Sequence, residues 1–218
     1  MRSITFERFL PLSGVLAAVA FATAMFVINP PDVTDGSREL FDYMADHRTA
    51  AGIAGFASGY FCLFMLTFSA GLRAALRSGE AGESSYSTVA FAGGVVVAAS
   101  IGAMGVLELA ASEAAHNGEA AVVTAVGYAG DYSWLPWTAG SAAMLIATGL
   151  GGLRTLALPR WLAIVTLILG VLCLSGIGGI PVFLVTPLWL LVTAVALHRR
   201  QAAPASGRVP VAASPTTA

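Results

Sequence analysis

Six long apolar stretches, of which only the third carries an acidic or basic residue other than histidine, constrain this chain more than anything else in it. We read them as Leu10–Ile28, Ala50–Leu72, Thr88–Ala110, Trp134–Leu153, Trp161–Ile177 and Val182–His198. Most approach the roughly 20 apolar residues that carry a helix across a hydrocarbon core about 30 Å thick. A stretch of that length exposes backbone and side chains that water does not stabilise, and lipid is the solvent in which it persists. The expected fold is therefore all-α, a polytopic transmembrane bundle of about six spans occupying residues 1–200. Residues 201–218 turn to Ala, Pro, Ser, Thr and Val without periodicity and are expected to form a disordered tail.

Charge supplies the orientation. Only 11% of the 218 residues are charged, against about 25% in an ordinary soluble domain. With an N-terminus in the cytoplasm, the inner segments hold Arg2, Arg8, Arg73, Arg77, Arg154, Arg160, Arg199, Arg200 and Arg208, and the outer ones only Arg38 and Arg48. That bias places both termini in the cytoplasm and the chain in a bacterial inner membrane as a multi-pass protein. Ala22-Thr23-Ala24 looks like a cleavage site, but the apolar run continues through Ile28, so the first segment is read as a retained helix. A net charge of −1 gives no electrostatic case for nucleic acid. Cys62 and Cys173 both fall inside apolar runs and read as small hydrophobes.

Two outer connections have some substance. In the first, Pro30-Pro31 leads to a helix signal with Ser37 as its cap, Leu40, Phe41 and Met44 at helical spacing, and Glu39, Asp42 and Asp46 along one face. In the second, the turn pair Asn117-Gly118 precedes a short helix over residues 119–128. Both are expected to lie over the outer end of the bundle. The run 176–181, rich in glycine and ending in Pro181, joins two short spans, and a re-entrant hairpin there is the alternative to two full crossings. Small residues recur every fourth position at Ala51, Gly55 and Gly59, at Gly94, Ala98 and Gly102, and at Ala139, Ala143, Ala147 and Gly151. Such stripes let helix backbones approach closely within a bundle. The sharper reading of the first is a homodimer through Gly55 and Gly59.

Few residues are available for chemistry. Glu108 stands between Leu107 and Leu109 near the end of the third run, where an acidic side chain costs about 2.5–3.5 kcal/mol at the bilayer centre and less toward its edge. It needs a partner, and Arg48 is the expected one. Asp131, Tyr132, Trp134 and Trp137 form a polar and aromatic group at the same depth, with His47, His116 and Glu113 also on the outer side. Glu108, His116, Asp131, Tyr132, Trp134 and Arg48 are thus the candidate ligand-binding residues, for a cation or an amphipathic molecule. Ordinary interfacial decoration is the plainer alternative.

Specific chemistries fare worse. Ser58 and His198 sit more than about 20 Å apart along the bundle at 1.5 Å per residue, too far for a nucleophile and its base. None of the three histidines lies within the bundle interior to hold haem, and a chain without lysine lacks a phosphate-binding glycine-lysine loop. No catalytic residue, metal or cofactor is expected. Mid-bundle hydroxyls such as Thr67, Ser100, Thr148, Thr166 and Ser175 are expected to bond back to their own helices.

Several short motifs together resemble a broad group of uncharacterised multi-pass membrane proteins of high-GC Gram-positive bacteria, a domain of unknown function. They are Tyr43-Met44-Ala45-Asp46-His47-Arg48, Leu72-Arg73-Ala74-Ala75-Leu76-Arg77, Ala90-Phe91-Ala92-Gly93-Gly94 and Leu158-Pro159-Arg160-Trp161-Leu162. The resemblance implies a topology and no catalytic residues. The leading expectation is a non-enzymatic accessory, sensory or ligand-binding protein acting through its outer surface. The alternative is a transporter of a small or lipid-like solute.

Overall fold

In the computed structural model, which describes residues 9–34, 36–80, 85–175 and 178–202, the chain is all-α. Eight helices appear among the described residues: α1 (Ser13–Val27), α2 (Ser37–Asp46), α3 (Arg48–Arg77), α4 (Tyr86–His116), α5 (Ala120–Asp131), α6 (Trp134–Thr155), α7 (Arg160–Cys173) and α8 (Gly179–Ala202). Six of them pack side to side in the cyclic order α1, α3, α4, α6, α7, α8, with α8 returning to α1. The amphipathic α2 and α5 lie across one end, resting on α4 and on each other. We call that end acidic and the other the arginine end. Each apolar run of the sequence has thus become one helix of a closed ring.

Three of these helices, α3, α4 and α8, are long and apolar enough to cross a membrane. The helices α1 and α7 are apolar but have only 15 and 14 residues. The 22 residues of α6 are diluted by glycine, threonine and an N-terminal Trp-Leu-Pro-Trp. Pro187 lies inside α8. The end of the fifth expected span, Gly176-Ile177, falls outside the described residues, as do Arg2, Arg8 and the tail beyond Ala202. Gln201 and Ala202, expected in the tail, continue α8 instead.

Large apolar side chains stand bare on the outside of the ring. Phe26, Phe56, Ile180, Leu174, Val106 and Leu188 are all at least 60% exposed. Meanwhile the interior encloses hydroxyls, with Ser69, Thr148, Thr166 and Thr193 fully buried. A water-soluble protein rarely leaves such a belt of large side chains bare. Close helix approach replaces the hydrophobic drive that lipid does not provide. A Cβ on Gly93 would come within 2.5 Å of the Met144 amide nitrogen and 2.6 Å of the Gly140 carbonyl, so α4 and α6 cross backbone to backbone there. Gly170 meets the Ile146 nitrogen similarly, at 2.7 Å, and joins α7 to α6.

Of the small-residue stripe on α3, Ala51 is fully buried and Gly55 faces Leu109 of α4 within the molecule. Gly59 opens outward, with nothing within 4 Å of its Cβ position. The two glycines on which a dimer was expected therefore look onto different surroundings.

Three of the five mid-bundle hydroxyls bond back to their own helices, and Thr148 does not: its buried hydroxyl has no hydrogen-bond partner among the described residues. Thr67 donates to Leu63, Ser100 to Val96 and Ser175 to Leu172. Thr166 is different: its hydroxyl accepts the indole N–H of buried Trp189 at 2.9 Å, tying α8 to α7.

Candidate functional site

A second apolar cluster, separate from the bundle core, explains how the acidic end is built. Leu40 and Met44 of α2 and Val123 of α5 bury themselves against Ala51, Ala54, Ala111, Ala114 and Ala115, with Ile28 and Val33 closing the margin. The loop after α1 is tied down as well. The Asn29 amide donates to the Tyr43 hydroxyl at 3.0 Å, and Thr34 donates twice to Asp32, at 2.9 Å from its nitrogen and 2.6 Å from its hydroxyl. Ser37, expected to cap α2, is its first residue and makes no capping bond. Gly127 lets α5 approach the loop and α2, since a Cβ there would come within 2.7 Å of Leu40 and 3.2 Å of Val33.

Under this cover lies a cavity of about 170 Å³. Pro30 and Pro31 form one wall, Met104 and Leu107 another, and Glu108 and Asp131 supply the carboxyl groups. Glu108 reaches it from α4, one turn above Met104. Its Oε2 is buried and has no hydrogen-bond partner among the described residues. A carboxylate oxygen left in that position loses its hydration and gains nothing in return, which makes it an acceptor awaiting a donor.

The expected partner is engaged elsewhere. Arg48 donates to Glu113 at 2.9 Å, and both side chains remain about half exposed. The pairing of Arg48 with Glu108 is therefore corrected. About 1.4 turns separate Glu108 from Glu113 at 3.6 residues per turn, so the α4 face that meets the start of α3 is the one carrying Glu113. An exposed pair of this kind contributes about 0–1 kcal/mol.

Asp131 shares its surroundings with Asp32. Burial, then the charge of Asp32, hold the Asp131 carboxyl above its ordinary value of 3.8, and a bond between the two carboxyls acts in the same direction. Asp32 moves below 3.8, chiefly through the two bonds from Thr34. The signs oppose each other. Asp131 prefers its proton in the folded protein, so its contribution to stability is complete below its unfolded pKa and is lost as pH rises through the elevated folded value. Asp32 contributes above its unfolded value and loses that contribution as pH falls. Asp131→Asn should then stabilise the protein at neutral pH and have no such effect below pH 3.8, where the wild-type carboxyl already holds a proton. Thermal unfolding across that range checks it, and an equal effect at both ends would contradict it.

Beside the first cavity is a second, of about 510 Å³, lined by Trp134, Trp137, Thr138, Ile180 and Phe183. Met104 belongs to both. Likewise Ser133 lines the first and its neighbour Trp134 the second. Trp137 is 2% exposed, stands edge to face with Phe183 at 4.9 Å, and its indole nitrogen has no hydrogen-bond partner among the described residues.

Of the six residues singled out by sequence, Glu108 and Asp131 share a cavity and Trp134 lines the adjoining one. Arg48, exposed His116 and Tyr132, 66% exposed, lie outside both. His47 bonds to the Tyr43 carbonyl through Nδ1 at 2.9 Å and stacks on that ring. Sequence reasoning missed Met104, Leu107 and the Pro30-Pro31 wall. A helical wheel centred on Glu108 would have brought Met104 and Ala111 forward, at i−4 and i+3. Among the described residues no group of three His, Cys, Asp or Glu side chains is placed to hold a metal ion.

No family model matches this chain, and neither a curated protein nor a solved structure is significantly similar to it.

Proposed function

We propose that this is a six-span membrane protein of ligand-binding, sensory or accessory type, whose acidic end faces outward and receives a small cationic group between Glu108 and Asp131. The buried, partnerless Oε2 of Glu108 carries the reading, because an ammonium group is the complement that such an oxygen lacks. The 170 Å³ space beside it is of a size for one small head group.

Six crossings are supported by the closed ring and its bare apolar belt. For α1 and α7 the regular helix spans only about 22 and 21 Å at 1.5 Å per residue. The turn residues Phe9–Leu12 and Leu174–Ser175 lengthen them, and a bilayer also thins locally around short helices. The arginine bias orients the ring with both termini in the cytoplasm. The resemblance to uncharacterised multi-pass proteins of high-GC Gram-positive bacteria implies the same topology and adds no activity.

The transport alternative needs a polar route through mid-bundle. The space near the middle, between Met65, Val97, Met144 and Trp189, measures only about 10 Å³, barely room for one water. Binding at one end is therefore favoured over passage. The test is titration of the detergent-solubilised protein with methylammonium, followed by calorimetry. Saturable binding that Glu108→Gln weakens about tenfold or more, the worth of one charge-assisted contact, supports the reading. Absence of binding by the wild type overturns it.

A further inference from the structure

The two adjoining cavities differ in kind, and their order along α4 has a direction. Glu108, at the carboxylate cavity, lies one turn and about 6 Å nearer the acidic end than Met104, which the aromatic cavity also uses. A molecule lying across both would meet carboxylates first, then the Trp137 indole, then Phe183 and Ile180. Two independent atoms in this path lack partners: an acceptor, Glu108 Oε2, and a donor, Trp137 Nε1. The ring of Trp137 is 98% enclosed, so solvent does not satisfy it. The mouth of the aromatic cavity is formed by Trp134, 44% exposed, and Ile180, 69% exposed, both on the apolar belt. Entry is lateral, from the side that lipid covers.

We propose that the paired cavities hold one membrane lipid with an aminoethyl phosphate head group. The ammonium lies between Glu108 and Asp131, a phosphate oxygen accepts the Trp137 N–H, and an acyl chain follows Ile180 and Phe183. The order of demands (a cation bearing N–H, an acceptor, then an aliphatic chain) matches that lipid, whereas a choline head group carries the charge without an N–H for Glu108 Oε2. An anionic glycerol head group offers no donor charge to Glu108, and a free short amine leaves the aromatic cavity unfilled. Trp134 also places an indole where a head group passes into the hydrocarbon, its usual station. This inference rests on the reading that the Glu108 cavity receives a cation.

The experiment is native mass spectrometry of the full chain released from nanodiscs of equimolar phosphatidylethanolamine and phosphatidylglycerol with identical chains. Wild type is expected to retain one phosphatidylethanolamine about tenfold over phosphatidylglycerol, and Glu108→Gln to bring the ratio to about parity. Arg38→Ala, on the exposed far face of α2, is expected to keep the wild-type ratio. Parity in the wild type, or an undiminished preference in Glu108→Gln, overturns the lipid assignment. If methylammonium still binds in that case, the cation site stands and only its lipid occupant is wrong. If neither binds, both readings fail together.

Discussion

Gly93→Val is expected to abolish the folded protein, with little monodisperse material recovered in detergent, whereas Gly59→Ala is expected to leave folding intact. Both positions are glycines within long apolar helices, so composition does not separate them. Geometry does. The atoms that a side chain at Gly93 would strike belong to the backbone of α6, the Met144 nitrogen at 2.5 Å and the Gly140 carbonyl at 2.6 Å. Backbone moves only if the whole helix moves. Gly140 faces the same crossing, with its own Cβ position 3.0 Å from the Gly93 carbonyl, so separating the helices opens the contact along its length. Overpacking of a tight interior costs about 1–3 kcal/mol for modest insertions, and valine against two backbone atoms belongs at or beyond the top of that range. Gly93→Ala should fall lower in the same range. Size-exclusion profiles and thermal aggregation midpoints of the three variants make the comparison. A Gly93→Val protein that behaves as wild type would mean α4 and α6 do not cross there.

Glu108→Leu is expected to do the opposite, raising stability by about 1–3 kcal/mol in protein stripped of amine-bearing lipid. Leucine has a similar reach and no oxygen to desolvate. In the wild type, Oε2 lies buried without a donor, and the nearest arginine able to help, Arg48, is already paired with Glu113. A residue that lowers the stability of the empty protein while facing a cavity is what a binding site looks like before its ligand arrives. Adding the ligand should reverse the order of the two proteins, because only the wild type gains from it. Unfolding midpoints in a maltoside detergent, with and without methylammonium, read both effects. A fall in stability for Glu108→Leu would show that the carboxylate has a partner.

Much of the architecture is legible in the residues because long apolar runs follow a coarse rule. Each of six apolar runs corresponds to one helix, and the signals around Leu40, Met44 and Asn117-Gly118 locate α2 and α5. The helix ends are less legible. Arg48 and Arg77 close α3 well outside the uncharged core Ala50–Leu72, since a polar side chain at a helix end can reach water while its backbone stays helical. The tightest crossing was obscure for another reason. Stripes at four-residue spacing drew attention to Gly94, which packs against Ser69 of α3, and to Ala139, while the backbone-to-backbone crossing of α4 and α6 is made by their neighbours Gly93 and Gly140. Spacing alone does not say which way a helix is turned.

The site shows the same division. Glu108 stands out in any reading, as the lone acid in an apolar run, and Asp131 follows from depth. The partner of Glu108 was misassigned because α4 carries acids at both 108 and 113, and only the rotation of the helix decides which of them meets Arg48. The Pro30-Pro31 wall and Met104 carry no charge and no motif, so only packing reveals them. Cys173 and Cys62 fulfil their reading as unpaired, the first buried and the second partly so.

The central claim is that every member of the ring crosses the bilayer, with the acidic end outside. Single cysteines at Arg38, Ser78, Glu119, Arg160, Ser175 and Gln201, in a background with Cys62 and Cys173 replaced by serine, sample each connection in turn. Treated on intact cells with a membrane-impermeant maleimide, the account predicts labelling at 38, 119 and 175 and protection at 78, 160 and 201. If only α3, α4 and α8 crossed, alternation would fail, and position 160 would share the exposure of 119. Labelling at 160 or 201 from outside would contradict the account.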